Sequence, residues 1–219
     1  MEAIEELELI DKSIEKICNL YTVICKKWSE KYPKDVFNQS STEVKDIFVR
    51  NNDKSLNILL SVIDYADYLN TEVNLDLLKL SQEEIISHTR VKQLNSILYK
   101  LFSYETKKNI NGTPGSIPIN KCFNDIFGMR IITENKFDFN TIYKHISEKY
   151  PTLKCIKSDK LDYKATHIYF KIDNFNYQWE LQLWYKNDEE SNYVSHKKHK
   201  QKYTIWEKQF KELLKGGKK

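Results

Sequence analysis

Between Glu5 and Lys31 the apolar positions Leu7, Ile10, Ile14, Ile17, Cys18, Tyr21, Ile24, Cys25 and Trp28 recur at helical spacing, predicting one long amphipathic helix stopped by Pro33. Ser40-Ser41-Thr42-Glu43 offers a cap for a second helix through Phe48. Leu56 to Tyr68 reads as a third helix, and Leu75 to Ser87 as a fourth whose end turns toward a strand leading to Arg90. Asn109 to Pro118 holds two of the five glycines and two of the four prolines; it is the plain loop of the chain, placed where a mobile flap over a bound ligand would sit. Beyond it the pattern becomes mixed. Asp125 to Thr133 reads as a strand, Asn140 to Tyr150 as a helix ended by Pro151, and Leu153 to Lys157 as a strand. Asp188 to Lys215 is expected to form a long helix with Tyr203, Trp206, Phe210, Leu213 and Leu214 facing inward, followed by a disordered Gly216-Gly217-Lys218-Lys219 tail.

The stretch Tyr163 to Trp184 alternates with period two on either side of Asp173-Asn174-Phe175-Asn176 and predicts a hairpin. Tyr163, Ala165, His167, Tyr169 and Lys171 share one face of its first strand; Gln178, Glu180, Gln182 and Trp184 share one face of the second. Pairing these faces gathers a ring, an imidazole and a carboxylate on one surface, which is either a site or the solvated polar face of an edge hairpin.

Upstream, the β-branched run from Asp125 to Ile132 carries an acid at its mouth and Gly128 and Arg130 inside. Interior glycine in a strand marks close approach of backbone or ligand, and arginine among apolar residues needs an anionic partner. Strict alternation from Asp125 puts Arg130 on the opposite face, so either a bulge intervenes, the two reach a site from different sides, or Arg130 pairs with a neighbouring helix. In Arg90 to Phe102, Leu94, Ile97, Leu98, Leu101 and Phe102 form a helical apolar stripe, while Lys92, Ser96 and Lys100 recur every fourth residue on the other side. Two ammonium groups flanking a hydroxyl make either a track for polyphosphate or a solvated lysine face.

Composition narrows the classes. At 219 residues the chain can bury one substantial core with a helical extension. A net charge of +4 suits nucleotide or RNA ligands and equally an ordinary soluble domain, so charge does not choose between them. Cys18, Cys25, Cys122 and Cys155 lack metal or redox spacing and read as reduced thiols; the pair His196 and His199 has no nearby cysteine or acid to complete a metal site. No run of eighteen apolar residues and no signal sequence appear, so a cytoplasmic protein without membrane attachment is expected.

Taken in order, R-x-K-x-x-x-S-I-x-x-K at Arg90 to Lys100, D-I-x-G-x-R-I at Asp125 to Ile131, Y-x-[AS]-x-H at Tyr163 to His167 and E-[IL]-Q at Glu180 to Gln182 resemble the synthetase domain of the RelA/SpoT family, which makes the alarmones pppGpp and ppGpp. A weaker match, H-x-x-x-Y, lies at His199 to Tyr203. There are departures. Leu161-Asp162 precedes Tyr163 where the family has asparagine and glycine, Leu183-Trp184 follows Gln182 where it has an arginine and a threonine, and Lys198 and Thr204 replace the acid and the lysine flanking the helix motif. All fall on the acceptor side.

The resemblance implies an α+β fold, a nucleotidyltransferase-like mixed sheet flanked by helices, with an N-terminal helical region over residues 1–83 packed on a synthetase domain over 84–215. It implies ATP-dependent transfer of pyrophosphate to the 3′-hydroxyl of GTP or GDP; no adjacent His-Asp pair is present to anchor the family's hydrolase. Asp125 and Glu180 would hold Mg²⁺, with Glu180 also the general base. Arg90, Lys92, Ser96, Lys100 and Arg130 would bind ATP; Tyr163 would stack on the acceptor base, supported by His167, Gln182 and His199. The toxic members of the family, which modify the 3′ CCA end of tRNA and pair with an antitoxin protein, give the alternative, toward which the altered loop and Lys197, Lys198, Lys200 and Lys202 lean.

Overall fold

The long N-terminal pattern forms α1 (Ala3–Lys31), opened by a reciprocal capping box between Glu2 and Glu5. The structure, a computed structural model, describes residues 2–33, 36–49, 53–81, 85–108, 112–160 and 162–198. Ile10, Ile14, Ile17, Tyr21, Ile24 and Trp28 line the buried side of α1, as their spacing requires. After it come a 3-10 turn (Val44–Phe48), α2 (Asp53–Thr71), α3 (Asn74–Ser81), β1 (Ile86–Val91), α4 (Leu94–Glu105), α5 (Ile119–Cys122), β2 (Phe127–Thr133), α6 (Phe139–Lys149), β3 (Lys154–Lys160), β4 (Tyr163–Phe170) and β5 (Trp179–Tyr185). A second 3-10 turn, Lys186–Asp188, leads into helical residues 189–198.

The five strands form one mixed sheet in the order β1-β2-β5-β4-β3, with β2 and β5 parallel and the other neighbours antiparallel. The expected mixed α+β sheet flanked by helices is thus present. β5 is central and buried on both faces. Phe127, Trp179 and Leu181 belong to the same core as α1 and α2. There Trp179 packs on Tyr21 at 5.1 Å between ring centroids and donates its indole N–H to the Tyr65 hydroxyl at 2.9 Å.

Several boundaries differ from the sequence reading. The fourth helix ends at Ser81 and the chain is already a strand from Ile86, so Arg90 lies in β1; α4 begins only at Leu94. The segment ending at Phe48 is a five-residue 3-10 turn capped by Glu43, because Ser40 and Thr42 bond instead to Asn174 and to the Asn38 carbonyl. The expected flap is anchored over its described part. Isolated bridges join Glu43 to Pro118 and Lys108 to Pro114, and Gly115, at φ +69°, leaves no room for a Cβ against Lys45. The hairpin turn is built by Asp173, whose side chain accepts from the backbone N–H groups of Phe175 and Asn176. All four cysteines are free thiols, and among the described residues no helix is long and apolar enough to cross a membrane.

Candidate active site

Register assembles the site. Arg90, Gly128, Glu180 and Tyr169 lie opposite one another across β1, β2, β5 and β4, and the next row holds His88, Arg130, Gln182 and His167. Residues paired across a sheet share a face. Both rows therefore face away from the Trp179 core. Asp125 precedes β2, so alternation does not govern it, and Arg130 stands on the site face without any bulge in β2. The bulge is in β1 at Ser87, whose hydroxyl donates to the Arg130 carbonyl at 3.2 Å. A Cβ built on Gly128 would meet nothing within 4 Å. This glycine serves space rather than backbone conformation, leaving a gap between Arg90 and Glu180.

Glu180 is 6% exposed yet held ionised. Burial pushes its pKa up, but the His167 contact and the Gln182 hydrogen bond outweigh it and hold it below the usual carboxylate range. His167 Nδ1 lies 2.8 Å from Oε1, the Tyr169 hydroxyl donates to Oε1 at 2.9 Å, and Gln182 Nε2 donates to Oε2 at 2.7 Å. An ionised carboxylate only accepts, so Nδ1 carries the proton, and in the neutral imidazole Nε2 accepts from the Tyr163 hydroxyl 2.9 Å away.

A second charged group sits where β1 gives way to α4. Lys92 Nζ donates to Asp125 Oδ2 at 2.5 Å; Lys100 Nζ donates to Oδ1 at 2.9 Å and to Asn124 Oδ1 at 2.9 Å. Burial raises the Asp125 pKa, but the two ammonium groups override it and keep the carboxylate ionised far into acid. The four-residue spacing of Lys92, Ser96 and Lys100 thus does not make an open track: both amines converge on Asp125, and half-exposed Ser96 lies in the first turn of α4 between them. The charge of Asp125 still acts on Glu180, so the two carboxylates belong to one electrostatic neighbourhood.

Around Tyr163 the surface is aromatic. The Arg130 guanidinium lies 3.5 Å above the Trp184 ring and 5.3 Å from the Tyr193 ring, and its Nη2 donates to Gln182 Oε1 at 3.3 Å. His196 and Tyr163 both pack on Trp184, at 5.4 and 6.0 Å between centroids. Trp184 Nε1 meets no hydrogen-bond partner among the described residues, although the Tyr163 hydroxyl is near enough to feel it. Burial raises the Tyr163 pKa. Of the anticipated residues, Arg90, Lys92, Ser96, Lys100, Asp125, Arg130, Tyr163, His167, Glu180 and Gln182 come to this face or its rim; His199 lies outside the described residues. Tyr169, Trp184, Tyr193, His196 and Asn124 were not anticipated as site residues. Strand alternation already marked Tyr169 and Trp184 as sharing the face, whereas Tyr193 and His196 carry no such signal.

The donor set suits Mg²⁺. Asp125 and Glu180 are ionised hard-oxygen ligands, among the described residues both Asp125 oxygens and Glu180 Oε2 accept one hydrogen bond each, and Mg²⁺ takes one or two carboxylates with the rest of its shell from phosphate and water. Among the described residues no group of three or more His, Cys, Asp or Glu forms an all-protein metal cage.

No protein-family model matches the chain, and no curated protein does. Solved structures similar to it include the small alarmone synthetase 2 from Bacillus subtilis, at 22% identity over 68% of this chain and 80% of that one, with a TM-score of 0.34. The small alarmone synthetase 1 from the same organism is 16% identical over 70% and 81%, with a TM-score of 0.36, and its AMPCPP-bound form has a TM-score of 0.34. Likenesses this distant leave the chemistry to rest on the residues themselves.

Proposed function

We propose that this protein is a pyrophosphokinase moving the β,γ-pyrophosphate of ATP onto the 3′-hydroxyl of GTP or GDP. One observation carries the reading: four motifs separated in sequence, at Arg90–Lys100, Asp125–Ile131, Tyr163–His167 and Glu180–Gln182, converge on one face and one end of a single sheet. Phosphoryl-type transfer needs positioning and charge stabilisation more than covalent chemistry, and this face supplies two ionised carboxylates beside three buried or half-buried cations. Arg90 and Arg130 orient the donor nucleotide, and Lys92 and Lys100 neutralise its phosphates when these displace them from Asp125. Tyr163 stacks on the acceptor base, and Glu180, oriented by His167, Tyr169 and Gln182, takes the hydroxyl proton. Asp125 and Glu180 would hold Mg²⁺, which supplies charge neutralisation of the phosphates.

Purified protein incubated with γ-labelled ATP and Mg²⁺ should label GTP or GDP and release equimolar AMP, with no transfer in EDTA. Absence of label in any acceptor overturns the reading. Label confined to deacylated tRNA replaces its acceptor and keeps its donor.

A further inference from the structure

Arg130 is 7% exposed, and among the described residues it forms no salt bridge. Buried guanidinium groups ordinarily pair with a carboxylate, since an uncompensated charge away from water is costly. Here the compensation comes from neutral groups: the π face of Trp184, 3.5 Å away, the Gln182 carbonyl oxygen and the Tyr193 ring. Trp184 itself is fully buried, and its indole N–H lacks a hydrogen-bond partner among the described residues. An unpaired buried donor destabilises the fold, and phenylalanine would fill much of the same space without one. What indole does better than a phenyl ring is hold a cation on its face.

We infer that Trp184 is a positioning residue for nucleotide binding: it fixes the Arg130 guanidinium at the site without neutralising it. A carboxylate in its place would consume the charge, and an aliphatic side chain would leave the guanidinium free to turn. The Trp184 ring fixes orientation and leaves the full positive charge for an incoming nucleotide. This inference rests on the reading of Arg130 as an ATP-binding residue.

The test is calorimetric titration with α,β-methylene-ATP, alongside thermal melting of the free protein. W184L should weaken binding about tenfold and W184F about two- to threefold, following the strength of a desolvated cation–π contact. W184F removes the second ring of the indole from a fully buried site and should lower the melting temperature modestly, leaving a folded protein in which affinity can be read. In an R130L background, W184L should add little further loss of affinity, since the tryptophan acts only through Arg130. If W184L does not fold, the milder pair W184F and R130K makes the same cycle, again with a combined loss smaller than the sum. Wild-type affinity in W184L, equal losses in W184F and W184L, or additive losses in the double variant each overturn the role of Trp184. Wild-type protein that fails to bind the analogue overturns the ATP reading and this inference together.

Discussion

Three side chains, His167, Tyr169 and Gln182, orient the Glu180 carboxylate. Such a carboxylate is pre-organised for one direction of proton transfer, so Glu180→Gln should lower kcat by about 10²- to 10⁴-fold with little change in far-UV circular dichroism. The same contacts set a pH dependence of stability. The folded-state pKa values of Asp125 and Glu180 are depressed, so their stabilisation is complete above the unfolded values of about 3.9 and 4.3 and is lost as pH falls toward the lower folded values. Urea midpoints measured from pH 6 to pH 2 should therefore decline in the acid range, and Glu180→Gln should flatten part of the decline. Gly128 contributes by absence: Gly128→Val would fill the gap between Arg90 and Glu180 and should weaken nucleotide binding more than it lowers the melting temperature.

At the level of elements, two carboxylates tie together parts of the chain that pattern alone leaves separate. Asp125 links the end of β1 to α4 through Lys92 and Lys100, and Lys92 is only 7% exposed. Asp125→Asn would strand that ammonium in the interior and should cost about 3–5 kcal/mol in chemical denaturation. Lys92→Met in the same chain should recover much of it while transfer activity stays lost. Glu6 does comparable work at the other end of the sheet, accepting from the backbone N–H groups of Glu134 and Asn135 and from the Asn135 side chain. Glu6→Ala removes the acceptor of three part-buried hydrogen bonds and should cost about 1–3 kcal/mol without altering nucleotide affinity.

On the scale of the whole molecule, the core beneath the sheet is shared: Ile10, Ile14 and Trp28 of α1 and Tyr65 of α2 belong to the same cluster as Phe127, Ile131 and Trp179. A chain beginning at residue 84 would expose that apolar face to water, and we expect it to lack near-ultraviolet circular dichroism and a cooperative thermal transition. The sequence by itself determined the long first helix, the hairpin and its Asp173 turn, and the alternation that puts Tyr163, His167 and Tyr169 on one face, because helix and strand periods and turn chemistry act over a few residues. Tertiary structure alone decided the rest. Local periodicity grouped Lys92 with Ser96 and Lys100 on one side of a helix, but pairing with β2 carries the strand through Val91, and Lys92 falls in the link before α4. The lysine spacing that looked like an open track closes on Asp125 because the half-buried carboxylate pairs with both ammonium groups, Lys92 and Lys100. Arg130 reached the site face and found Trp184 there only through the parallel register of β2 with β5, a pairing between strands about fifty residues apart that no short-range pattern encodes.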